Sequence, residues 1–589
     1  MRIRLTAAML MLSFIGAGCA TDRREQSVTA GLPPDVIYYG GTILTMDASN
    51  STVGALAIRG DRILAVGPGD AIRLLAGKKT RLIDLGGRTV TPGFYAAHDH
   101  YPEIGMQAVS QVDLNSPPMG RVTGMSGLVD ALAEQARRTP KGQWVLGQGY
   151  DDTLIQEMRH PTRHDLDRAS TEHPILISHI SGHLCVANSK ALELAGVNKS
   201  TANPPGGVFR RDASTGELDG VLEESARAGV LRLIPALPRE KVVAGFRWAA
   251  TNYLAAGVTT VAIMGCDRAG VEELKLALDA NIPQPRAAVY LVKRALGQST
   301  PAEVNDLFSG IGGGRMTPVG VKMMQDGSIQ GYTGYLTHPY HVPFKGDTAY
   351  RGYARRSREE LTALVVEAHR QRQHIAIHGN GDAAIDDILA AFAEAQAKFP
   401  WPEARHRIEH CQTAREDQLD LMKMLGVTPS FFVEHVYYWG DRHRDRFLGP
   451  ERAARISPLA SAAKRGIRFT IHNDTPVTPV SPLHLIWTSV NRLTTSGQVL
   501  GSDQCITAQQ ALCAVTIDAA WQNHEEATKG SMEPGKLADF VILSENPLAI
   551  GGRKIKDIAV LETVIGGKTF YRQKNLSSIR QSPEEQIKK

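Results

Sequence analysis

The central part of the chain alternates short apolar runs with longer segments in which apolar residues recur at helical spacing. Such alternation predicts a parallel β-sheet covered by helices. Eight of the apolar runs are typical of buried strands, and eight is the strand number of a (β/α)8 barrel. The predicted fold class is therefore α/β, a TIM-like barrel, with strands at residues 93–98, 257–264, 286–292, 319–324, 375–379, 407–411, 427–433 and 468–474.

Both ends of the chain show a different pattern, in which short apolar runs are separated by glycines. The runs lie at residues 36–39, 42–45, 55–58, 62–66 and 81–85, and again at 538–543 and 558–570. This spacing predicts antiparallel β structure. We expect the two ends to combine in a composite β-sandwich, formed by residues 33–91 and 526–572, beside a barrel at residues 92–525. The charged segment 573–589 is predicted to be a tail.

The longest interval between predicted barrel strands follows the first strand, and a second long interval follows the fourth. Insertions after barrel strands lie on the carboxyl-terminal face, where the active sites of such barrels are built. The first interval contains apolar runs at residues 144–150 and 174–179, so we expect a folded cap insertion at about residues 105–250. The second interval carries an aromatic loop at residues 332–353.

The first residues of the chain predict a targeting signal. Arg2 and Arg4 precede an apolar run at residues 5–15, which is too short to span a bilayer as a helix. The sequence Gly-Ala-Gly-Cys that follows resembles a bacterial lipoprotein signal. We therefore expect a signal peptide at residues 1–18, lipidation of Cys19 and a tether at residues 19–32, with ordinary secretion as an alternative.

Composition and charge restrict the possible functions. Hydrophobic residues make up 42% and charged residues 22% of the 589, which is ordinary for a globular protein. The net charge of +5 is dispersed, so a nucleic-acid partner has no support. Five further cysteines are scattered and no Cys-x-x-Cys pair occurs, which argues against a disulfide framework and a thiolate zinc site.

Side chains that can bind metals recur at the carboxyl ends of the predicted barrel strands. In an extended strand alternate side chains point the same way, so His98 and His100 can face one ion. Imidazole and carboxylate donors suit a divalent ion such as zinc. A lysine can bind metal only after it reacts with carbon dioxide to form a carbamate. The residues expected to converge at the barrel mouth are His98, His100, Lys322, His378, His410 and Asp474.

Several segments together resemble the amidohydrolase superfamily, in particular its YtcJ-like branch, which includes N-substituted formamide deformylases. The matching segments are PGFYAAHDH (92–100), SGHLCVANSKALELAG (181–196), VKMMQDGS (321–328), IHGNGDAAID (377–386), RIEHCQ (407–412), HNDTPV (472–477) and GSMEPGKLADFVIL (530–543). The resemblance implies that His98 and His100 hold one ion and that His378 and His410 hold another. It also implies that carboxylated Lys322 bridges the ions and that Asp474 binds metal and moves the proton.

Two departures from the family pattern concern the substrate. Relatives often carry Gly-Ser-Arg-Thr after the fourth-strand Asp-Gly, which is absent here, and Ala383 stands where an arginine is frequent. Without these arginines the bidentate clamp for a carboxylate is missing, so an acidic substrate is disfavoured. Aromatic side chains can instead line an apolar pocket, or can pack at the rim under the cap; they are Tyr332, Tyr335, Tyr437, Tyr438 and Trp439.

Three other residues have possible roles near the substrate. His183, in a Ser-Gly-His segment of the cap, is a candidate contact for the substrate carbonyl, with Asn188 as its support. His472 is expected to face the same way as Asp474 and to support a ligand or touch the substrate.

We therefore expect a metal-dependent hydrolase of a carbon–nitrogen bond other than a peptide bond, with one or two divalent ions. The expected substrate is a small linear N-substituted amide or formamide, attacked by a metal-bound hydroxide. A cyclic amidase or deaminase, or a binding lipoprotein without activity, remain alternatives. The expected location is the cell envelope, as a lipoprotein of the outer membrane facing the periplasm, or else as a periplasmic or secreted protein. A homodimer is left open.

Overall fold

The structure is a computed structural model that describes residues 31–293, 303, 306–308 and 314–574. The predicted signal peptide, Cys19, most of the tether and nearly all of the tail lie outside these residues. Within the described ranges, no helix combines the length and the apolar composition that crossing a membrane requires.

The first five strands form part of a mixed sheet. They are β1 (Val36–Leu44), β2 (Thr52–Arg59), β3 (Arg62–Gly67), β4 (Arg81–Asp84) and β5 (Thr89–Pro92). Strands β1 and β2 are antiparallel, whereas β4 and β5 both run parallel to β1. The prediction that the amino-terminal strands form a purely antiparallel unit was therefore wrong, because two strands pair with β1 in the parallel direction.

Strand β6 (Phe94–Asp99) opens the barrel, and an insertion with a sheet of its own follows it. This insertion contains β7 (Val112–Asp113), β8 (Val145–Tyr150), β9 (Ile175–His179), β10 (Leu184–Ala187), β11 (Gly207–Arg211) and β12 (Leu218–Glu224). The six strands pair in the order β11-β12-β10-β9-β8-β7. Their apolar side chains form separate core clusters, so the insertion is a folded layer rather than a long loop.

The barrel continues with seven further strands after the insertion. They are β13 (Val258–Cys266), β14 (Arg286–Val292), β15 (Met316–Met324), β16 (His374–Gly379), β17 (Arg407–His410), β18 (Thr428–Phe431) and β19 (Thr470–Ile471). With β6 they form one eight-stranded parallel sheet in chain order. The eight predicted barrel strands are all present.

The barrel is nearly closed, and the gap between its first and last strands is bridged by loop contacts. The backbone N–H of His100 donates to the carbonyl of Thr475 at 2.9 Å. The N–H of Thr475 donates to a carboxylate oxygen of Asp99 at 2.8 Å. Asp99 therefore ties the first strand to the segment after the last one.

The last three strands return to the terminal sheet. They are β20 (Phe540–Leu543), β21 (Val560–Ile565) and β22 (Lys568–Arg572), and β20 pairs antiparallel with β5. Tyr38 and Phe540, from opposite ends of the chain, pack edge to face at 5.2 Å. Strands from both ends thus share one eight-stranded sheet and one core, while a sandwich arrangement of that sheet stays a prediction.

Helices cover the barrel and close its base. Barrel and helices share the largest apolar core, while small side chains such as Ala262 and Ala288 fill the barrel interior with Ala519 and Ala520 of the helix at its base. Among the described residues the α-helices are α1 (Gly69–Arg73), α2 (Glu103–Ser110), α3 (Met125–Arg138), α4 (Arg163–Asp167), α5 (Ser189–Leu194), α6 (Ala228–Leu231), α7 (Arg239–Ala255), α8 (Arg268–Asp279), α9 (Arg358–Arg370), α10 (Asp382–Lys398), α11 (Glu416–Leu425), α12 (Glu434–Arg442), α13 (Pro450–Ala454), α14 (Leu459–Lys464), α15 (Pro482–Asn491), α16 (Ala508–Ala514) and α17 (Ile517–Gln522).

Candidate metal centre and active site

The carboxyl ends of the barrel strands bring most of the predicted ligand side chains into one buried cluster. Because the strands are parallel, these ends meet on one face of the barrel. His98 lies on β6, Lys322 on β15, His378 on β16 and His410 on β17. His100 and Asp474 follow the first and last strands, and only His100 is substantially exposed.

Asp474 lies at the centre of one group of three donors. Its Oδ1 atom is 3.3 Å from Nε2 of His98 and 3.2 Å from Nε2 of His100. Tetrahedral zinc with ligand bonds of 2.0–2.1 Å separates its ligand atoms by about 3.3 Å. The same Oδ1 is buried and has no hydrogen-bond partner among the described residues. Spacing, burial and donor chemistry therefore fit one divalent ion between these three side chains.

A second group of three donors shares His98 with the first. It consists of His98, His410 and His472, whose donor nitrogens lie within 4.8 Å of one another. His472 stacks on His98 at a ring distance of 4.7 Å, and its Nε2 is 3.1 Å from Nδ1 of His410. Burial lowers the pKa of His410 and His472 well below the ordinary value, which favours the neutral form that binds metals.

His378 lies beside this cluster but belongs to neither group of donors. Its ring is 4.4 Å from that of His410. Its Nε2 lies 3.0 Å from the carbonyl oxygen of Gly327 and 3.0 Å from the side-chain nitrogen of Asn380. In this orientation Nε2 faces the backbone rather than the other donors, so pairing of His378 with His410 on one ion stays a prediction.

Lys322 reaches the cluster from β15. Its Nζ atom is 3.4 Å from Nε2 of His98. Burial lowers the pKa of Lys322 to about 8. The neutral amine is the form that reacts with carbon dioxide, so both position and environment are compatible with a carbamate.

The backbone at two of these residues is in the left-handed region. His410 has φ 68° and Asp474 has φ 56°, which is uncommon for residues other than glycine. His410 is the last residue of β17, and Asp474 lies three residues after the end of β19, so both are where the chain has turned or is turning out of the strand ladder. Such conformations are concentrated at functional sites.

Glu409 contacts the Nδ1 side of the His98 ring, and no role for it was expected from the sequence. Its Oε2 lies 2.5 Å from Nδ1 of His98. Arg407 donates to both carboxylate oxygens, at 2.7 and 3.0 Å. Burial alone would raise the pKa of Glu409, but Arg407 and His98 hold it well below its ordinary value. The charged carboxylate keeps the proton of His98 on Nδ1 and leaves Nε2 free for a metal.

A cavity of about 310 Å³ opens beside His100. Three carboxylates, Glu103, Asp267 and Glu273, line it together with apolar side chains. No lysine or arginine is among the described residues that line it. This lining gives no attraction to an anionic substrate, which agrees with the absence of an arginine clamp from the sequence.

Comparison with known proteins identifies the family. The profile described as "Amidohydrolase family" matches residues 81–571, which is most of the chain. The chain belongs to the amidohydrolase family. The expected enzyme class and the YtcJ-like resemblance are thus confirmed.

The alignments with similar proteins cover nearly the whole of this amidohydrolase. An N-substituted formamide deformylase of Arthrobacter pascens is 28% identical over 557 residues, covering 91% of this chain and 98% of the deformylase. The amidohydrolase YtcJ of Bacillus subtilis is 26% identical over 555 residues, covering 91% of this chain and 99% of its own. A solved structure of an uncharacterized metal-dependent hydrolase from Pyrococcus horikoshii is 26% identical, has a TM-score of 0.66 and covers 88% of this chain and 99% of that one.

The insertion contributes His183 to the mouth of the amidohydrolase. The His183 ring lies 4.9 Å from that of His378, and its Nδ1 is 2.8 Å from Oε1 of Glu224. Asn188, expected to support His183, instead caps helix α5 by accepting from the N–H of Ala191 at 2.9 Å. The expectation for Asn188 was wrong, because its side chain is used within the insertion.

The predicted pocket aromatics of the amidohydrolase lie at the junction of barrel and insertion. Tyr332 is buried against Tyr340, Phe344 and Phe447. Tyr335 is half-buried beneath the Arg351 guanidinium. Their part in binding substrate stays a prediction.

Trp439 joins the barrel to the insertion more directly. It is buried, stacks on His435 at 4.6 Å and donates from Nε1 to Asp151 at 3.0 Å. Since Asp151 belongs to the insertion, this hydrogen bond helps to hold the insertion against the barrel.

Proposed function

We propose that this amidohydrolase cleaves the carbon–nitrogen bond of linear N-substituted amides or formamides with water. The products are an amine and a carboxylic acid, which is formic acid for a formamide. The observation that carries the proposal is the buried Oδ1 of Asp474, which lies within 3.2–3.3 Å of two imidazole nitrogens and makes no hydrogen bond of acceptable geometry among the described residues. The name of the Arthrobacter relative supports the formamide.

The proposed cofactor is zinc or a similar divalent ion, in one or two copies. His98, His100 and Asp474 would hold one ion, and His410, with His378 or His472, would hold a second. Carboxylated Lys322 is the proposed bridging ligand. When bound, such an ion acts as a Lewis acid and makes bound water more acidic.

Asp474 is the proposed proton carrier. Its second carboxylate oxygen, Oδ2, lies 3.8 Å from Nδ1 of His410. His98 and His410 hold the pKa of Asp474 below its ordinary value although burial would raise it, so the carboxylate is available as a base. It takes a proton from the attacking water and returns it to the leaving nitrogen, a general acid–base role.

The environment of the mouth supports an uncharged substrate. The cavity beside His100 is lined by carboxylates, which would repel a substrate carboxylate and tolerate a neutral amide or the amine product. Tyr332, Tyr335, Trp439 and His472 are proposed as residues around the substrate. The sequence of residues 1–20, in which Ala20 rather than an aspartate follows the cysteine, supports attachment of the enzyme to the outer membrane through Cys19.

Product analysis tests the proposal. Purified enzyme is incubated with a series of N-substituted formamides and acetamides, and amine and acid are quantified separately. Equal release of amine and acid by the wild type, and release at least a hundredfold slower by Asp474→Asn, is the expected result. Ammonia release, or ring opening of a cyclic amide without a second product, would instead indicate the deaminase or cyclic amidase alternative. Absence of turnover in the metal-loaded enzyme would support a binding protein.

A further inference from the structure

The loop at residues 179–183 brings the insertion into contact with the barrel mouth. Ile180, in the middle of this loop, packs in a buried apolar cluster that includes Phe432 of the barrel. His183, at its end, lies with its ring 4.9 Å from the ring of His378. A substrate at the metal centre would therefore lie next to a histidine that does not come from the barrel.

Glu224 fixes the orientation of His183. Its carboxylate is inaccessible to solvent and accepts from Nδ1 of His183 at 2.8 Å. It also accepts from the Thr333 hydroxyl at 2.9 Å and from Arg355 at 2.9 Å. Thr333 and Arg355 both follow barrel strand β15, so they tie this carboxylate to the barrel as well as to the insertion.

These contacts determine which His183 nitrogen carries a hydrogen. A carboxylate can only accept, so His183 donates its Nδ1–H to Glu224, and the imidazole form with this tautomer presents a lone pair at Nε2. Nε2 has no hydrogen-bond partner within the part of the chain that the structure describes. The side chain of His183 remains 10% exposed, so part of it is accessible from outside.

We propose that Nε2 of His183 accepts a hydrogen bond from the N–H of the substrate amide, in place of the carbonyl contact expected from the sequence, and that Glu224 is the positioning residue for this contact. The enzyme would then select mono-substituted amides, which carry an N–H, over N,N-disubstituted amides, which do not. A site built to pair with an N–H discriminates strongly against analogues without it, because its own polar group is left unpaired. This inference rests on the proposed function and adds the substrate class.

The test compares a matched pair of substrates, N-benzylformamide and N-benzyl-N-methylformamide, in the metal-loaded enzyme. For each, kcat and KM are measured, or an inhibition constant if an amide is not turned over. We expect the wild type to prefer the mono-substituted amide at least tenfold in kcat/KM or in binding. In His183→Ala the preference should fall to threefold or less, because the mono-substituted amide loses its partner.

Glu224→Gln should reduce the preference in the same direction, and Glu224→Asp should retain part of it. Glu223→Gln is the matched control, because the adjacent Glu223 is also buried but bonds to Arg210 and to the Tyr353 hydroxyl. It should keep the wild-type preference. Thr333→Val removes one donor to Glu224 and gives a milder variant should Glu224→Gln fail to fold.

A wild-type enzyme that treats the two amides alike would overturn the inference and leave the proposed function intact. Retention of the preference in His183→Ala would also overturn it, since the extra methyl group would then be excluded sterically by the pocket and not through the loss of a hydrogen bond. Failure of every metal-loaded form to hydrolyse any amide would count against the proposed function itself.

Discussion

Replacing Glu409 by Gln tests whether the buried carboxylate behind His98 prepares the metal centre. Glutamine has nearly the same volume but is neutral, and its NH2 group must face either His98 or Arg407, both of which are donors. Nδ1 of His98 then loses a charged partner at 2.5 Å. Loss of the partner that orients a metal-binding histidine costs about tenfold to a hundredfold in metal affinity. That range corresponds to about 1.4–2.8 kcal/mol.

The same substitution also weakens a buried ion pair, so affinity and stability have to be measured separately. Breaking a buried pair costs about 3–5 kcal/mol of folding free energy. Zinc affinity is measured by competition with a chromogenic chelator. Stability is measured by denaturant unfolding of protein from which a chelator has removed the metal. The matched control is Asp539→Asn, which weakens the buried Arg286–Asp539 pair, 2.7 Å long and outside the donor groups of the metal centre. It should lower stability without changing zinc affinity.

The reasoning would be refuted if Glu409→Gln bound zinc within twofold of the wild type while remaining folded. An equal loss of affinity in Asp539→Asn would also refute it, because the effect would then reflect general destabilisation.

Three further outcomes are expected. Treatment with a strong chelator should abolish amide hydrolysis and restoration of zinc should recover it; activity that survives verified metal removal would contradict the proposed centre. Asp474→Asn, which removes the proton carrier, should lower kcat by about 10²–10⁴-fold in the zinc-loaded state, whereas a decrease below threefold would exclude that role. Native mass spectrometry should give the wild type a mass that exceeds the calculated mass of polypeptide plus bound metal by one carbon dioxide. Lys322→Arg should lack this addition, and an unmodified wild type would show that Lys322 is a simple amine.

The barrel could be predicted from the sequence because its signal is repeated along the chain. The third strand was predicted at residues 286–292 and is Arg286–Val292 in the structure. The last strand was predicted at residues 468–474, whereas the ladder includes only Thr470–Ile471. An apolar run shows that a segment is buried, but it does not show where the backbone leaves the ladder, as it has done by Asp474.

Parts of the site depend on contacts that no local pattern contains. The orientation of His378 follows from the carbonyl of Gly327, 51 residues away, and that of His183 follows from Glu224, 41 residues away. Glu409 did have a local signal, since Arg407 and Glu409 are two residues apart on a buried strand and so share a face. A buried charge pair beside a ligand histidine would have justified assigning it a supporting role.

The seam between the first and last barrel strands affects when the metal centre can form during synthesis. The first donors of the proposed metal centre, His98 and His100, leave the ribosome long before Asp474. The contact that closes the seam joins Asp99 to Thr475, which are 376 residues apart in the sequence. A nascent chain can therefore fold its insertion early, but it has no complete metal centre until the last barrel strand has been made. We therefore expect any metal to be loaded late, in the compartment in which folding finishes.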